Sequence, residues 1–123
     1  MSGQKLEHIQ DHELVEVFES WALAHGKAVV DGDVPAANRT YKKLDAVNKE
    51  LKTRRLEARR QLFKLLDHQE FSVRYYTAKS IFALDPVRAR AVIEEVWLRG
   101  PDPLRLAAGM TLQALDDGIF KPT

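Results

Sequence analysis

The sequence predicts an all-α protein, a short right-handed α-α superhelix of about six helices in three antiparallel pairs. Three observations carry that expectation. Apolar residues recur at three- and four-residue steps along nearly the whole chain, with no alternating strand-like run. Stop and restart signals punctuate the second half at Asp85-Pro86, Gly100-Pro101 and Asp102-Pro103. Finally, residues 55–85 laid over residues 86–116 without a gap match at an offset of 31 residues. Leu62, Leu65 and Leu66 then fall on Ile93, Val96 and Trp97, Val73-Arg74 on Leu104-Arg105, Thr77-Ala78 on Ala108-Gly109, and Ile81 on Leu112. A fixed period of this kind marks stacked helical hairpins, each needing neighbours to bury its apolar face.

Taken in order, the first helix starts at Asp11 as a cap, carries Leu14, Phe18, Trp21 and Val29 on one face, and ends at Gly32. Gly26 interrupts it and marks a candidate kink. A second helix opens near Asp33-Val34-Pro35 and carries Tyr41, Leu44, Val47 and Leu51 at three- and four-residue steps, with a very polar outer face. After the basic connection through Arg54-Arg55, Leu56 to Leu66 reads as the third helix, Asp67 to Glu70 as a turn, and Ser72 as the cap of a fourth running to about Leu84. Asp85-Pro86 restarts the fifth, Asp102-Pro103 the sixth, and Gly118 closes it so that Ile119-Phe120 fold back. One domain over residues 1–123 results: a divergent amino-terminal pair at 11–52, repeat units at 55–85 and 86–116, and a cap at 117–123.

Composition narrows the function. The chain of 123 residues has no cysteine, which removes disulfides, thiolate metal sites and thiol nucleophiles and fits a reducing, cytoplasmic setting. No signal-like or membrane-spanning apolar stretch is present. Net charge is +1 but unevenly spread: residues 1–38 hold two lysines against seven acids, and residues 39–64 hold ten cations against three acids.

The pattern Leu65-Leu66-Asp67-His68, Val73-Arg74, Thr77-Ala78, Ile81 and Leu84-Asp85-Pro86 resembles the second half of a HEAT-type repeat, with Leu104-Arg105, Ala107-Ala108-Gly109 and Leu112 as a second copy. More narrowly, residues 108–112 and 115–120 resemble a bacterial family of small HEAT-like proteins known as a domain of unknown function, number 2019. The resemblance implies a HEAT/armadillo-like fold over most of the chain and implies no activity. The period is shorter than in long HEAT units, and the second copy has a tighter turn with Asp102 nearest its arginine.

Helical arrays of this kind are binding surfaces far more often than enzymes, so the expected role is a protein-interaction module, monomeric or homodimeric, without catalytic residues, cofactor or metal. The face of the second helices opposite the core holds Tyr75, Lys79 and Phe82, and one period later Leu106, Met110 and Gln113. This column is the candidate partner surface; its plainer reading is packing beneath the amino-terminal pair, since large apolar side chains are usually buried. The basic run Arg54, Arg55, Arg59, Arg60 and Lys64, with Lys42, Lys43, Lys49 and Lys52 nearby, gives the alternative, a nucleic-acid-associated protein. Scarce aromatic residues in that run favour a solvated face instead. An immunity or antitoxin role is a further alternative by fold analogy alone.

Arg74 and Arg105 sit at equivalent helix starts, where the dipole disfavours a free cation, so each calls for an acidic partner from Asp67, Glu70 or Asp102. His8, His12 and Glu16 have metal-like spacing but lie at the amino-terminal end with nothing to complete a site. Asp67-His68 with Ser72 reads as turn chemistry rather than a hydrolytic triad. Trp21 and Trp97 read as core.

Overall fold

The computed structural model describes residues 5–123, which form six helices and no strand among them. After a 3₁₀ turn at Leu6–His8, helix α1 spans Asp11–Asp31. Its start is a capping box in which Gln10, not Asp11, is the cap: the Gln10 amide donates to Glu13 while the Gln10 side chain accepts from the Glu13 amide. Asp11 instead lies in the first turn and accepts from Arg54 Nη1 at 3.0 Å. Gly32 ends α1 in the left-handed conformation at φ 70°, and Asp33 then accepts from the Ala36 amide at 3.1 Å to start α2, Val34–Thr53.

Helix α3 (Leu56–Arg60) departs from the regular helix expected, because the chain tightens into a 3₁₀ segment at Gln61–Asp67. Three-residue turns stack Leu62 above Leu65, and both are buried. Helix α4 spans Phe71–Ile81, with Glu70 at the cap position and Ser72 inside the first turn. It ends earlier than Leu84: the amides of Leu84 and Asp85 both donate to the Ile81 carbonyl, at 2.8 and 3.3 Å, and swing the chain round. Asp85 accepts from the Arg88 amide at 3.2 Å and starts α5, Pro86–Arg99. The same device is not repeated at α6, Asp102–Asp116, where Pro101 holds the cap position and Asp102 makes no capping bond. Gly118 closes the chain at φ 71°, and the amides of Ile119 and Phe120 both donate to the Ala114 carbonyl.

Helix α1 pairs with α2, while α4 packs on the 3₁₀ segment and on α5, and α5 packs on α6. Helix α1 also lies against the 3₁₀ segment, α4 and α6. A strictly linear stack of three pairs would hold the first and third apart; here the amino-terminal pair reaches across to both. Helix α1 runs through Gly26 without a break. An added Cβ there would lie 2.2 Å from Ser72 Cβ, so Gly26 is where the α1 and α4 backbones meet.

Burial repeats along with the letters. Ala58 and Ala89, Leu62 and Ile93, Leu65 and Val96, Val73 and Leu104, Thr77 and Ala108, and Ile81 and Leu112 are all buried, each pair 31 positions apart. A buried leucine or isoleucine contributes about 1.5–3 kcal/mol, whereas an exposed ion pair contributes about 0–1 kcal/mol. These apolar pairs, rather than the arginines, therefore dominate the stacking energy. The correspondence breaks at Trp97, expected in the core: it is 48% exposed, while its counterpart Leu66 is 1% exposed. The segment bearing Leu66 is covered by α1, whereas Trp97 faces a hollow lined by α5 and α6 alone. Trp21 is partly buried against the core, as expected.

Candidate functional site

The six residues of the candidate column do not form one surface. Tyr75 is 2% exposed and Phe82 is 9% exposed, so both leave the candidate surface. The cause for Tyr75 is helix α6: the Tyr75 hydroxyl lies 3.2 Å from the Ala107 carbonyl and 2.7 Å from Thr111 Oγ1. Phe82 meets Phe120 of the chain end, with ring centroids 6.5 Å apart. Lys79 is half-buried, its ammonium over the rings of Tyr75 and Phe120 at 5.4 and 5.8 Å. One period on, Leu106 is 68% exposed, Met110 is 64% exposed and Gln113 is exposed. What α6 does to α4, no described residue does to α6.

Trp97 joins this open half. It lines a hollow of about 430 Å³ with Leu106, Gly109 and Met110, rimmed by Arg90, Glu94, Arg105 and Asp116. Gly109 makes the arrangement possible, since a Cβ there would sit 3.1 Å from the indole ring. The result is an apolar strip between α5 and α6 with both signs of charge along its edges. Arg90 bridges the two helices, contacting Asp116 at 3.0 Å and Glu94 at 3.3 Å.

The two equivalent arginines take related but unequal settings. Arg74 Nε donates to the His68 carbonyl at 2.6 Å, and Arg105 Nε donates to the Trp97 carbonyl at 3.0 Å, so each satisfies a carbonyl near the end of the preceding helix. Their acidic partners differ from expectation for Arg74, which pairs with Glu95 of α5 at 2.7 Å rather than with a turn carboxylate. Arg105 does pair with Asp102, at a loose 3.6 Å, and that carboxylate is 93% exposed. Asp67, a candidate partner, instead faces Arg88 at 3.5 Å.

The basic run is divided as well. Arg54 is taken by Asp11, by Glu50 at 2.9 Å and by the Leu6 carbonyl at 2.8 Å. Arg59 is buried and donates to the carbonyls of Ser80 and Thr123 at 2.7 and 3.1 Å. Lys49 pairs with Asp45 at 2.8 Å. Arg55, Arg60 and Lys64 remain exposed, as do Lys42 and Lys43. The pattern of letters could not show this division, because the tail and the amino-terminal turn that draw Arg59 and Arg54 inward are distant in sequence.

His68 is fixed in the turn: its Nδ1 accepts from the Glu70 amide at 3.0 Å, so Nε2 carries the proton and donates to Glu19 at 2.8 Å. It ties α1 to the start of α4. His8 and His12 are exposed, on the first turn and on α1.

A family model described as a domain of unknown function, DUF2019, matches residues 12–116. The chain belongs to this family. The DUF2019 match runs from the first turn of α1 to the last residue of α6, and so takes in the whole α5–α6 strip. A protein of the same fold is RPA1889 from Rhodopseudomonas palustris CGA009, whose crystal structure is 30% identical, with a TM-score of 0.88 over 98% of this chain and 99% of that one. No curated protein matches this DUF2019 member. None of its described helices is long and apolar enough to cross a membrane.

Proposed function

We infer that this DUF2019 domain is a protein-interaction module, a HEAT-like array whose contact surface is the α5–α6 strip. The observation that carries this reading is the contrast between equivalent positions. Tyr75 is covered by the next helical layer while Leu106 lies bare, and Arg74 meets a carboxylate of the next layer while Arg105 has only the exposed Asp102. The last layer thus offers what the layer before it has already used. The occupant that fits is a helix of a partner protein, laid on α6 as α6 lies on α4, with apolar side chains on Leu106 and Met110 and a carboxylate toward Arg105. Trp97 would be its main apolar anchor, since partly exposed aromatics dominate interface energetics.

Because the strip is already formed, little ordering entropy is lost on docking. No catalytic step, metal or cofactor belongs to this reading. Nucleic-acid binding is the weaker alternative, because Arg54 and Arg59 spend their charge inside the molecule and leave fewer cations for phosphates.

The test is capture of partners from cells that make the protein, using wild type, Met110→Glu, Arg105→Glu and the control Val34→Glu on exposed α2. The expected result is a helical partner lost with Met110→Glu and Arg105→Glu and retained with Val34→Glu. Retention by all three variants contradicts the reading. A dimer that Met110→Glu dissolves would replace the outside partner with a second copy.

A further inference from the structure

Away from the α5–α6 strip, a cavity of about 190 Å³ opens between α2, α4 and the carboxyl-terminal tail, and two lysines reach into it from different helices. Lys79 comes from α4. Among the described residues no carboxylate lies within ion-pair distance of it, and its ammonium is held only against the faces of Tyr75 and Phe120. Ring quadrupoles offset a cation weakly compared with a counter-ion. Lys52 comes from α2 and donates to Thr123 Oγ1 at 3.1 Å, with no side-chain carboxylate in ion-pair distance among the described residues. The one carboxylate in the wall, Asp45, is engaged by Lys49 at 2.8 Å. Burial holds both Lys52 and Lys79 below their usual pKa, with the Arg59 charge adding to the effect on Lys52 and the Asp45 charge opposing it.

The rest of the wall supplies donors and an apolar floor. Asn48 Oδ1 accepts from Ser80 Oγ, which leaves the Asn48 amide hydrogens without a partner among the described residues. The phenol of Tyr76 also lines the cavity, and burial pushes its pKa up, so it stays a donor. Phe18 and Leu44 form the floor and Phe120 one side. Two ammonium groups, an unpaired amide and a phenol line a space whose one side-chain carboxylate, Asp45, is already paired with Lys49. The space equals about six water volumes at ~30 Å³ each, which admits a short-chain or single-ring acid.

We propose that this cavity is a binding site for a small organic carboxylate, its anionic end between Lys52 and Lys79 and its apolar body against Phe18, Leu44 and Phe120. Neither lysine is part of the α5–α6 strip, so the site stands independently of the interaction reading. In the sequence Lys79 falls in the candidate partner column and Lys52 near the basic run, because their meeting at one cavity depends on how α2 and α4 pack.

Calorimetric titration of the full chain with benzoate, hexanoate and succinate tests it, with inorganic phosphate as a charge-only control and benzamide as an uncharged one. Saturable binding of at least one of the two acids with a single carboxylate is expected, with Kd of about 1 mM or tighter. Lys79→Met and Lys52→Met should each weaken that binding at least tenfold, and phosphate and benzamide should bind at least tenfold more weakly than the acid. In thermal melts without ligand, Lys79→Met should raise Tm by removing an uncompensated charge, which shows that the variant folds. No saturable binding of benzoate or hexanoate, binding unchanged in either variant, or phosphate binding as tightly as the better acid would each overturn the proposal.

Discussion

Tyr75→Phe removes a hydroxyl shared between the Ala107 carbonyl and Thr111 Oγ1, and leaves buried Thr111 without that partner. A loss of about 1–2 kcal/mol in a urea melt is expected; an unchanged midpoint would mean that α6 does not seat on α4 through this group. His25 supplies the pH dependence. Its Nδ1–H donates to Thr40 Oγ1 at 3.0 Å, since the Thr40 hydroxyl already donates to the Ala36 carbonyl, and the ring packs between Tyr41 and Tyr76. Burial, and secondarily the Lys79 charge, hold His25 below its usual pKa against a contribution from the Ala37 backbone that raises it. The unfolded chain therefore takes up a proton that the native state resists. The stabilisation from neutral His25 is complete above about pH 6.5 and is lost as pH falls below that value toward the native pKa. Stability measured from pH 7.5 to 5 should decline, and His25→Gln should flatten the decline. Equal slopes in the two proteins would remove His25 from that role.

Helices α1 and α4 cross where Gly26 meets Ser72, and no side chain fits between them. Gly26→Ala should cost about 1–3 kcal/mol by overpacking, and Ser72→Gly should recover part of that loss in a double-mutant cycle. Purely additive effects would place the crossing elsewhere. Asp85→Ala, which deletes the cap of α5, should cost about 1 kcal/mol in the same assay. These elements differ in how readable they were. The stops at Gly32 and Gly118 and the cap at Asp85 were legible because the chemistry is local, a left-handed turn or a carboxylate facing free amides. The 3₁₀ segment Gln61–Asp67 was not, since Leu62, Leu65 and Leu66 suit either kind of turn, and neither was Gly26, where the obstacle is a serine 46 positions away. Trp97 was misplaced for the same reason: its letters copy Leu66, but burial depends on a covering layer that the last unit lacks. Half of the candidate surface, Leu106, Met110 and Gln113, was legible as the outer face of a helix, whereas Tyr75 is taken by α6 and Phe82 meets the chain end.

At the scale of the whole molecule, α6 covers Tyr75 of α4, whereas Trp97, Leu106 and Met110 on α5 and α6 lie open. Trp97→Ala should accordingly cost only about 1–2 kcal/mol, because much of the indole is already in water, whereas Ile93→Ala in the same helix should cost about 2–5 kcal/mol. Equal losses would mean that Trp97 is covered in solution. The most direct measurement is site-specific photo-cross-linking in cells that make the protein, with the photoreactive residue at position 110 and, for comparison, at position 34. A discrete adduct at position 110, mapping to a helix with a carboxylate and abolished by Arg105→Glu, is the predicted result; no adduct there, or equal adducts at both positions, contradicts the account.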